Sequence, residues 1–409
     1  MASDSSRGRI AWGVAPHQGG STTAYRELAA GLRRHGWEVF SVTAGVRGAR
    51  LFDSSYADEH SMVLLAESTD VRSCAAGFVD WVGRQRIDIV VPGCEEFIHA
   101  AVPALERNVR VVTRCGSMTR HAYALTTANL ERTQLVITQT PRQYEDLTRD
   151  WGVPPEKCAT IPSGINEALF TFPAHRRSTE RLRLIYVGRL EDADKGVMLL
   201  PEVTRRLEQG GLDFHLDVVG DGPDAGRLRS AFVRHEVAGL VTFHGRLPRA
   251  GIVERLRAAH LSLLPSRFEG LPWTLLESMS CGCVPIVSYI ARVTDTVVEQ
   301  GVNGFLCKVG SDAQFASAIL SLASDRDRLA KMSQAARQEI EARFTASRMV
   351  ESYDRALTNL LSSPPLNLSP VALCAIQVPR SICPTWRTSV PQPIKNLVRT
   401  WAARFQKSI

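Results

Sequence analysis

The chain has 409 residues, and 44% of them are hydrophobic. It contains nine cysteines and has a formal net charge of +7 at pH 7. This length leaves room for two or three domains with sizeable apolar cores. The lack of an eighteen-residue apolar run excludes a transmembrane helix, and the scattered, odd number of cysteines indicates reduced thiols rather than disulfides or zinc ligands.

The first half of the chain alternates predicted strands and helices, as a doubly wound domain does. No hydrophobic signal core precedes the first strand, so we expect a cytoplasmic location. A loop with Gly19 and Gly20 follows that strand, and Ser21 or Thr22 is the expected N-cap of the first helix. The strands are predicted at residues 9–14, 61–65, 88–91, 109–113 and 134–137.

The second half begins with a predicted strand that ends at Gly188 and Arg189. Lys195 follows at the start of a helical segment. An arginine and a lysine at such a turn can neutralise a diphosphate, Arg with a planar fork and Lys as a point charge. The alternative is a pair of ordinary surface cations. Two more strands with glycine turns are predicted at residues 216–219 and 241–244.

The most informative stretch contains Glu269 and Glu277, two carboxylates eight residues apart around a predicted strand-to-helix turn. Ligands bind open α/β sheets at the carboxyl ends of strands, and amides at a helix N-terminus suit a phosphate. Carboxylates placed there can accept hydrogen bonds from sugar hydroxyls. Two glutamates at this spacing can equally be solvated residues on a helix face, so the surrounding motifs decide between these interpretations.

These motifs follow one another in a fixed order, and together they resemble the retaining GT-B glycosyltransferases of family 4. The resemblance covers residues 182–353 most strongly, and the glycine loop near residue 20 extends it into the first half. The segments that carry it are Gly188-Arg189-Leu190 with Lys195-Gly196, Gly220-Asp221-Gly222-Pro223, the Glu269 to Glu277 element, and Asn303-Gly304-Phe305-Leu306.

The resemblance implies an α/β protein with the GT-B fold, in which two doubly wound Rossmann-like domains face each other across a cleft. The expected organisation has an acceptor-side domain at 1–172 and a nucleotide-sugar domain at 173–345. A helix at 346–361 is expected to pack back on the first domain, and a C-terminal extension follows at 362–409.

It also implies a metal-independent retaining glycosyltransferase without a cofactor. Such an enzyme moves a sugar from a nucleotide-diphosphate donor to an acceptor hydroxyl, here in polysaccharide or glycolipid assembly. The residues implied in catalysis are Glu269, Arg189, Lys195 and His121. The residues implied in donor binding are Gly19, Gly20, Gly188, Arg189, Lys195, Gly245, Glu269, Gly270, Leu271, Leu275 and Glu277.

The sequence departs from the family in two places. The spacer 191–194 before Lys195 is one residue longer than usual, and Cys115 stands where many relatives have a histidine that contacts the donor sugar. His121 could fill that place, or be an ordinary surface residue. Glu95 and Glu96 could meet an acceptor, or lie in a solvated loop. Two alternatives stay open: a non-catalytic GT-B protein that binds sugar nucleotides or a partner, and a sugar-nucleotide epimerase.

The end of the chain is basic. No acidic residue follows Asp354, and the segment 362–393 is rich in proline and serine, which predicts a linker. Beyond it, an apolar stripe with Trp401 and Phe405 is bordered by Lys and Arg, from Ile394 to Ile409. A basic amphipathic helix of this kind suits an anionic membrane surface, and docking on the protein's own body is the alternative. No nucleic-acid-binding motif accompanies the charge.

Overall fold

The computed structural model describes residues 7–15, 20–46, 57–66, 70–172 and 181–379. These residues form two compact units. Unit 1 combines the chain up to Ser163 with the part that starts at Ala346, and unit 2 is the intervening Gly164–Thr345. The predicted loop residue Gly19 and the predicted amphipathic segment 394–409 lie outside the described residues.

Unit 1 is built on a parallel sheet. Its strands are β1 (Gly8–Gly13), β2 (Trp37–Val46), β3 (Ser61–Ala66), β4 (Ile89–Val91), β5 (Arg110–Arg114), β6 (Thr133–Thr138) and β7 (Cys158–Thr160). They follow the order β3-β2-β1-β4-β5-β6-β7 in the sheet. The chain order therefore reverses at β1, and the crevice at such a reversal is where doubly wound sheets bind ligands.

Helices connect these parallel strands, because a parallel pair needs a crossover connection. They are α1 (Gly20–Arg34), α2 (Val71–Gln85), α3 (Glu96–Ala101), α4 (Arg120–Thr127) and α5 (Pro141–Asp150). All five predicted strands of this half occur, each within one residue of its predicted bounds, whereas β2 and β7 were not predicted. The N-cap prediction was wrong: α1 already begins at Gly20, and the Thr22 hydroxyl donates to the Ala15 carbonyl at 3.2 Å.

Unit 2 has the same architecture. Its strands are β8 (Leu182–Val187), β9 (Phe214–Val219), β10 (Val241–Gly245), β11 (Leu261–Leu264), β12 (Val284–Ser288) and β13 (Phe305–Cys307), in the order β10-β9-β8-β11-β12-β13. Its helices are α6 (Asp192–Lys195), α7 (Leu200–Gln209), α8 (Ala225–Ala231), α9 (Val233–Val237), α10 (Arg249–Ala258), α11 (Trp273–Ser280), α12 (Asp312–Ser324) and α13 (Arg326–Arg343).

Both faces of the unit 2 sheet are covered. Along β8, Leu184 and Tyr186 pack into one apolar cluster, and Ile185 packs into another. Alternate side chains of a strand point to opposite faces, so β8 is apolar on both sides, as a central strand of a parallel sheet is. The predicted α/β class with two doubly wound domains is confirmed.

The chain returns to unit 1 through α14 (Ala346–Ser362), which packs on α1. The apolar stripe of α14, with Val350 and Tyr353, joins the buried cluster that contains Leu28. Residues 363–379 then run along unit 1: the Val371 amide donates to the Pro103 carbonyl at 3.0 Å, and Ile376 is buried. The first part of the predicted linker is therefore packed against the body of unit 1.

Candidate active site

The candidate site lies at the carboxyl edge of the unit 2 sheet, where β8 and β11 are neighbours. The loop after β8 carries Arg189 and leads into α6, while the loop after β11 carries Glu269 and leads into α11. The chain order also reverses beside β8, so this edge is the switch point at which an open α/β sheet binds ligands.

Lys195 and Glu269 meet at this edge. The Lys195 Nζ atom lies 2.6 Å from Glu269 Oε1, although the two residues are 74 positions apart in sequence. Ser266 Oγ donates to the same carboxylate oxygen at 2.7 Å, and Glu269 is only 9% exposed. The ammonium group can bind an anion, and the carboxylate beside it can accept a hydrogen bond from a hydroxyl group of the same ligand.

The long spacer before Lys195 forms the short helix α6, which ends at Lys195. Gly196 follows in the left-handed conformation, with φ at 61°. A Cβ atom on Gly196 would lie 2.2 Å from the Pro265 carbonyl oxygen, so only glycine allows α6 to approach the β11 loop this closely. The Arg267 amide donates to the Asp194 carbonyl at 2.8 Å, which ties the two loops together.

We expect Gly196→Ala to destabilise unit 2 by roughly 3 kcal/mol, because a left-handed alanine costs about 1–2 kcal/mol and the carbonyl clash adds to it. The melting temperature measures this loss. Gly211→Ala is the matched control: Gly211 also has a positive φ, at 67°, but apart from its chain neighbours no described residue comes within 4 Å of its Cβ position. An equal loss in both variants would show that the close approach to Pro265 contributes nothing.

Arg189 is held by a neighbouring carboxylate. Its guanidinium lies 2.7 Å from Glu191 Oε2, and its side chain is 59% exposed while that of Glu191 is 2% exposed. Glu191 Oε1 is buried without a hydrogen-bond partner among the described protein atoms. The Tyr186 hydroxyl donates to the Arg189 carbonyl at 2.9 Å, which fixes the backbone at this turn. Arg189 thus presents a charged side chain at the sheet edge, with part of its charge compensated.

The other predicted donor-binding residues fall into two groups. Glu277 is buried in the second turn of α11, and Gly270 is half-buried in the loop before it. Leu271 and Leu275 belong to the apolar core of unit 2, so their side chains stabilise the loop. The Leu275 amide donates to the Pro272 carbonyl at 3.2 Å, which fixes the start of α11.

The glycines at the ends of two further strands shape the same edge. Gly188 follows β8, and Gly220 follows β9. A Cβ atom on Gly220 would lie 1.9 Å from the Gly188 carbonyl oxygen. Gly245 ends β10 with φ at 64°. Gly188 and Gly245 therefore both lie at the carboxyl ends of strands in the unit 2 sheet.

In unit 1, Cys115 does not take over the role of a histidine. It is fully buried with Tyr123 and Val136, and burial raises the pKa of its thiol to about 12. His121 is exposed on the first turn of α4. Gly20 is the first residue of α1. Cys115 is thus a core residue, and His121 is an exposed one.

Sequence reasoning missed three residues of the unit 2 site. Ser266 binds the Glu269 carboxylate, Glu191 pairs with Arg189, and Arg267 joins the two loops. No motif or spacing in the sequence distinguishes these three residues from ordinary loop residues. In the described ranges, no group of three or more His, Cys, Asp or Glu side chains is arranged to hold a metal ion.

Comparison with known families gives two matches in sequence order. The model of "Glycosyltransferase Family 4" matches residues 18–169, and that of "Glycosyl transferases group 1" matches residues 169–339. Lys195, Glu269 and Glu277 all fall within the second match.

Curated relatives match over part of their length. A putative colanic acid biosynthesis glycosyltransferase of Salmonella typhimurium, WcaL, is 30% identical over 223 residues, which cover 53% of each chain. A glycogen synthase of Mycobacterium tuberculosis is 27% identical over 229 residues, covering 56% of this chain and 55% of the relative. The similarity thus spans about half the length of each relative.

Solved structures match over most of the chain. Anabaena Alr3699/HepE, in complex with UDP and glucose, has a TM-score of 0.72 at 16% identity and covers 86% of this chain and 100% of its own. Sucrose-phosphate synthase of Thermosynechococcus elongatus has a TM-score of 0.72 at 18% identity and covers 87% of this chain and 99% of its own. These structures share the fold of two doubly wound domains.

Proposed function

Because this chain belongs to the group 1 glycosyltransferases with the GT-B fold, we propose that it transfers a sugar from a nucleotide-diphosphate donor to an acceptor hydroxyl. The observation that carries this proposal is the Lys195–Glu269 pair, at 2.6 Å, on the carboxyl edge of the unit 2 sheet. The names of WcaL and of the glycogen synthase support polysaccharide assembly as the setting.

The charges of the site suit the departure of a diphosphate. Negative charge grows on the diphosphate as the bond to the sugar breaks, and preorganised cations stabilise that charge. Lys195 supplies a compact charge and Arg189 a planar fork. Glu269, held by Ser266, accepts hydrogen bonds from hydroxyls of the donor sugar, and Glu277 in α11 accepts them from the ribose.

We propose a retaining, metal-independent reaction. The acceptor oxygen attacks the anomeric carbon on the face from which the nucleotide leaves, and the leaving phosphate receives the acceptor proton. The new carbon–oxygen bond forms as the bond to the diphosphate breaks, and the electron pair of that bond goes to the diphosphate. Lys195 and Arg189 would then carry the charge stabilisation that a divalent cation supplies elsewhere.

Nucleotide binding is the first test. UDP, GDP and ADP are compared by melting temperature, because a ligand that binds only the folded state stabilises it by about 2.7 kcal/mol at a hundred times its Kd. UDP is the first choice, since it is bound in the structurally similar HepE. If no nucleoside diphosphate raises the melting temperature, the proposed donor class is wrong.

Turnover is the second test. Release of nucleoside diphosphate is followed with and without EDTA, with UDP-glucose, UDP-galactose and UDP-N-acetylglucosamine as donors. Water, maltotetraose, L-malate and inositol 3-phosphate serve as acceptors, the last three because the relatives include proteins named glycogen synthase, N-acetyl-alpha-D-glucosaminyl L-malate synthase and D-inositol 3-phosphate glycosyltransferase. A retaining transferase gives a product with the anomeric configuration of the donor. Conversion of the sugar without transfer would indicate an epimerase, and binding without turnover would indicate a non-catalytic protein. Loss of activity in EDTA would contradict metal independence.

The basic end of the sequence supports a peripheral position on an anionic membrane, where lipid-linked acceptors lie. The described ranges contain no helix with the length and apolarity needed to cross a bilayer. Basic residues near an anionic surface contribute about 1 kcal/mol each, and salt screens them. We expect removal of residues 393–409 to abolish co-sedimentation with phosphatidylserine vesicles at low salt, while donor hydrolysis is unchanged. Unfolding after this deletion would show that the segment is a packing element instead.

A further inference from the structure

Glu95 occupies the ligand-binding edge of unit 1. It follows β4 in a loop that folds back over the end of β1, the strand at which the chain order reverses. A Cβ atom on Gly93, whose φ is 60°, would lie 1.9 Å from the Gly13 carbonyl oxygen. This close approach fixes the loop and holds Glu95 beside β2, where the Thr43 hydroxyl donates to Glu95 Oε1 at 3.3 Å.

The surroundings of Glu95 favour the neutral carboxylic acid. Burial raises its pKa to about 7, the Thr43 hydrogen bond opposes this rise, and the charge of Glu96 adds to it. Cys94 is the other titratable group that interacts with Glu95 among the described residues, and Arg114 acts on Cys94. Among the described residues no cation pairs with Glu95, so its carboxyl group destabilises the fold when it ionises. A strongly shifted pKa of this kind is typical of functional sites.

A second hydrogen-bond acceptor lies one helical turn away. His99 is 2% exposed, and burial lowers the pKa of its ring to about 4, so it is neutral at physiological pH. Its Nε2 atom lies 3.1 Å from the Gly93 carbonyl, which can only accept, so Nε2 carries the proton. The Nδ1 lone pair is left buried without a partner among the described protein atoms. His99 is thus a buried, neutral residue of α3 that adds no charge near Glu95.

We propose that Glu95 binds a hydroxyl group of the acceptor. Its carboxylate accepts a hydrogen bond from the acceptor O–H group through the oxygen not engaged by Thr43, and the ionised form makes this bond stronger than the neutral form does. Glu95 receives no proton in this scheme. The inference rests on the proposed glycosyltransferase function and adds to it the unit 1 residue that recognises the acceptor.

The activity test compares Glu95→Gln with Glu96→Gln, which changes the adjacent, exposed glutamate. With the best acceptor of the panel, we expect Glu95→Gln to lower kcat/KM for that acceptor by about tenfold, because the glutamine amide oxygen still accepts a hydrogen bond but without the charge that strengthens it. The Kd of the nucleoside diphosphate is unchanged. Wild-type kcat/KM rises with pH up to about pH 7, and this dependence disappears in Glu95→Gln but persists in Glu96→Gln.

The melting temperature tests the raised pKa of Glu95 without any acceptor. The folded-state pKa of about 7 exceeds the reference value of 4.5. The stability contributed by the neutral carboxyl is therefore complete below 4.5 and lost as the pH rises through 7. The melting temperature of Glu95→Gln relative to wild type is thus expected to increase between about pH 5 and pH 8.

Two results would overturn the inference. One is a melting-temperature difference that does not change with pH, and the other is a wild-type pH profile in Glu95→Gln. A protein that binds no nucleoside diphosphate at all contradicts the proposed function instead. The two failures are therefore distinguished by the nucleotide-binding measurement.

Discussion

Replacing Lys195 by alanine is expected to lower the rate of sugar transfer by a factor of about 10² to 10³, the usual cost of removing one preorganised group from developing negative charge. The reason is geometric. Lys195 is the C-terminal residue of α6, held next to the β11 loop by the close approach of Gly196, and its ammonium group already lies 2.6 Å from Glu269. Release of nucleoside diphosphate under saturating donor measures the effect.

Lys331→Ala is the matched control, because Lys331 is an exposed lysine on α13. The melting temperature is measured in both variants, since loss of Lys195 also leaves the buried Glu269 without its cation. Wild-type turnover in Lys195→Ala would remove this residue from the mechanism. Arg189→Ala is expected to lose activity too, but it leaves the buried Glu191 unpaired, so its effect combines catalysis and stability.

The second large effect distinguishes the role of Glu277 from that of Glu269. We expect Glu277→Gln to weaken the binding of free UDP by roughly tenfold, because the glutamine amide accepts a hydrogen bond from the ribose without the charge that strengthens it. Glu269→Gln is expected to leave UDP binding nearly unchanged and to lower transfer from the sugar nucleotide instead. The reason is the proposed division of roles, in which Glu277 meets the ribose and Glu269 meets the donor sugar.

Calorimetric titration with UDP and with the intact sugar nucleotide measures both affinities for each variant. Glutamine keeps the shape of the side chain, so the Ser266 hydroxyl retains a hydrogen-bond acceptor in Glu269→Gln. Equal losses of UDP affinity in the two variants would contradict the division of roles. Unchanged UDP affinity in Glu277→Gln would remove that residue from the nucleotide site.

The strands of unit 1 were predicted to within one residue because period and composition are local properties of a chain. Two strands of unit 1 were not predicted. The predicted set lacks β2, whose polar and small residues make its period weak, and β7, which is only three residues long, Cys158–Thr160. The wrong N-cap of α1 has a similar cause: hydroxyl residues were present at Ser21 and Thr22, but the Thr22 hydroxyl bonds to Ala15.

The sequence by itself determined the α/β class and the two doubly wound domains, and it placed Glu269 in the loop after a strand and Glu277 inside the helix that follows. Those follow from short-range patterns and from the order of motifs. Only the tertiary structure decided which charged side chains form ion pairs and which polar residues are buried. The Lys195–Glu269 pair joins loops from different strands, and Cys115 is buried against Val136 and Leu147, so packing at long sequence distance sets both. The Arg189–Glu191 pair forms within one loop, where no sequence pattern marks it. The raised pKa of Glu95 has the same origin, because it comes from burial that no local pattern encodes.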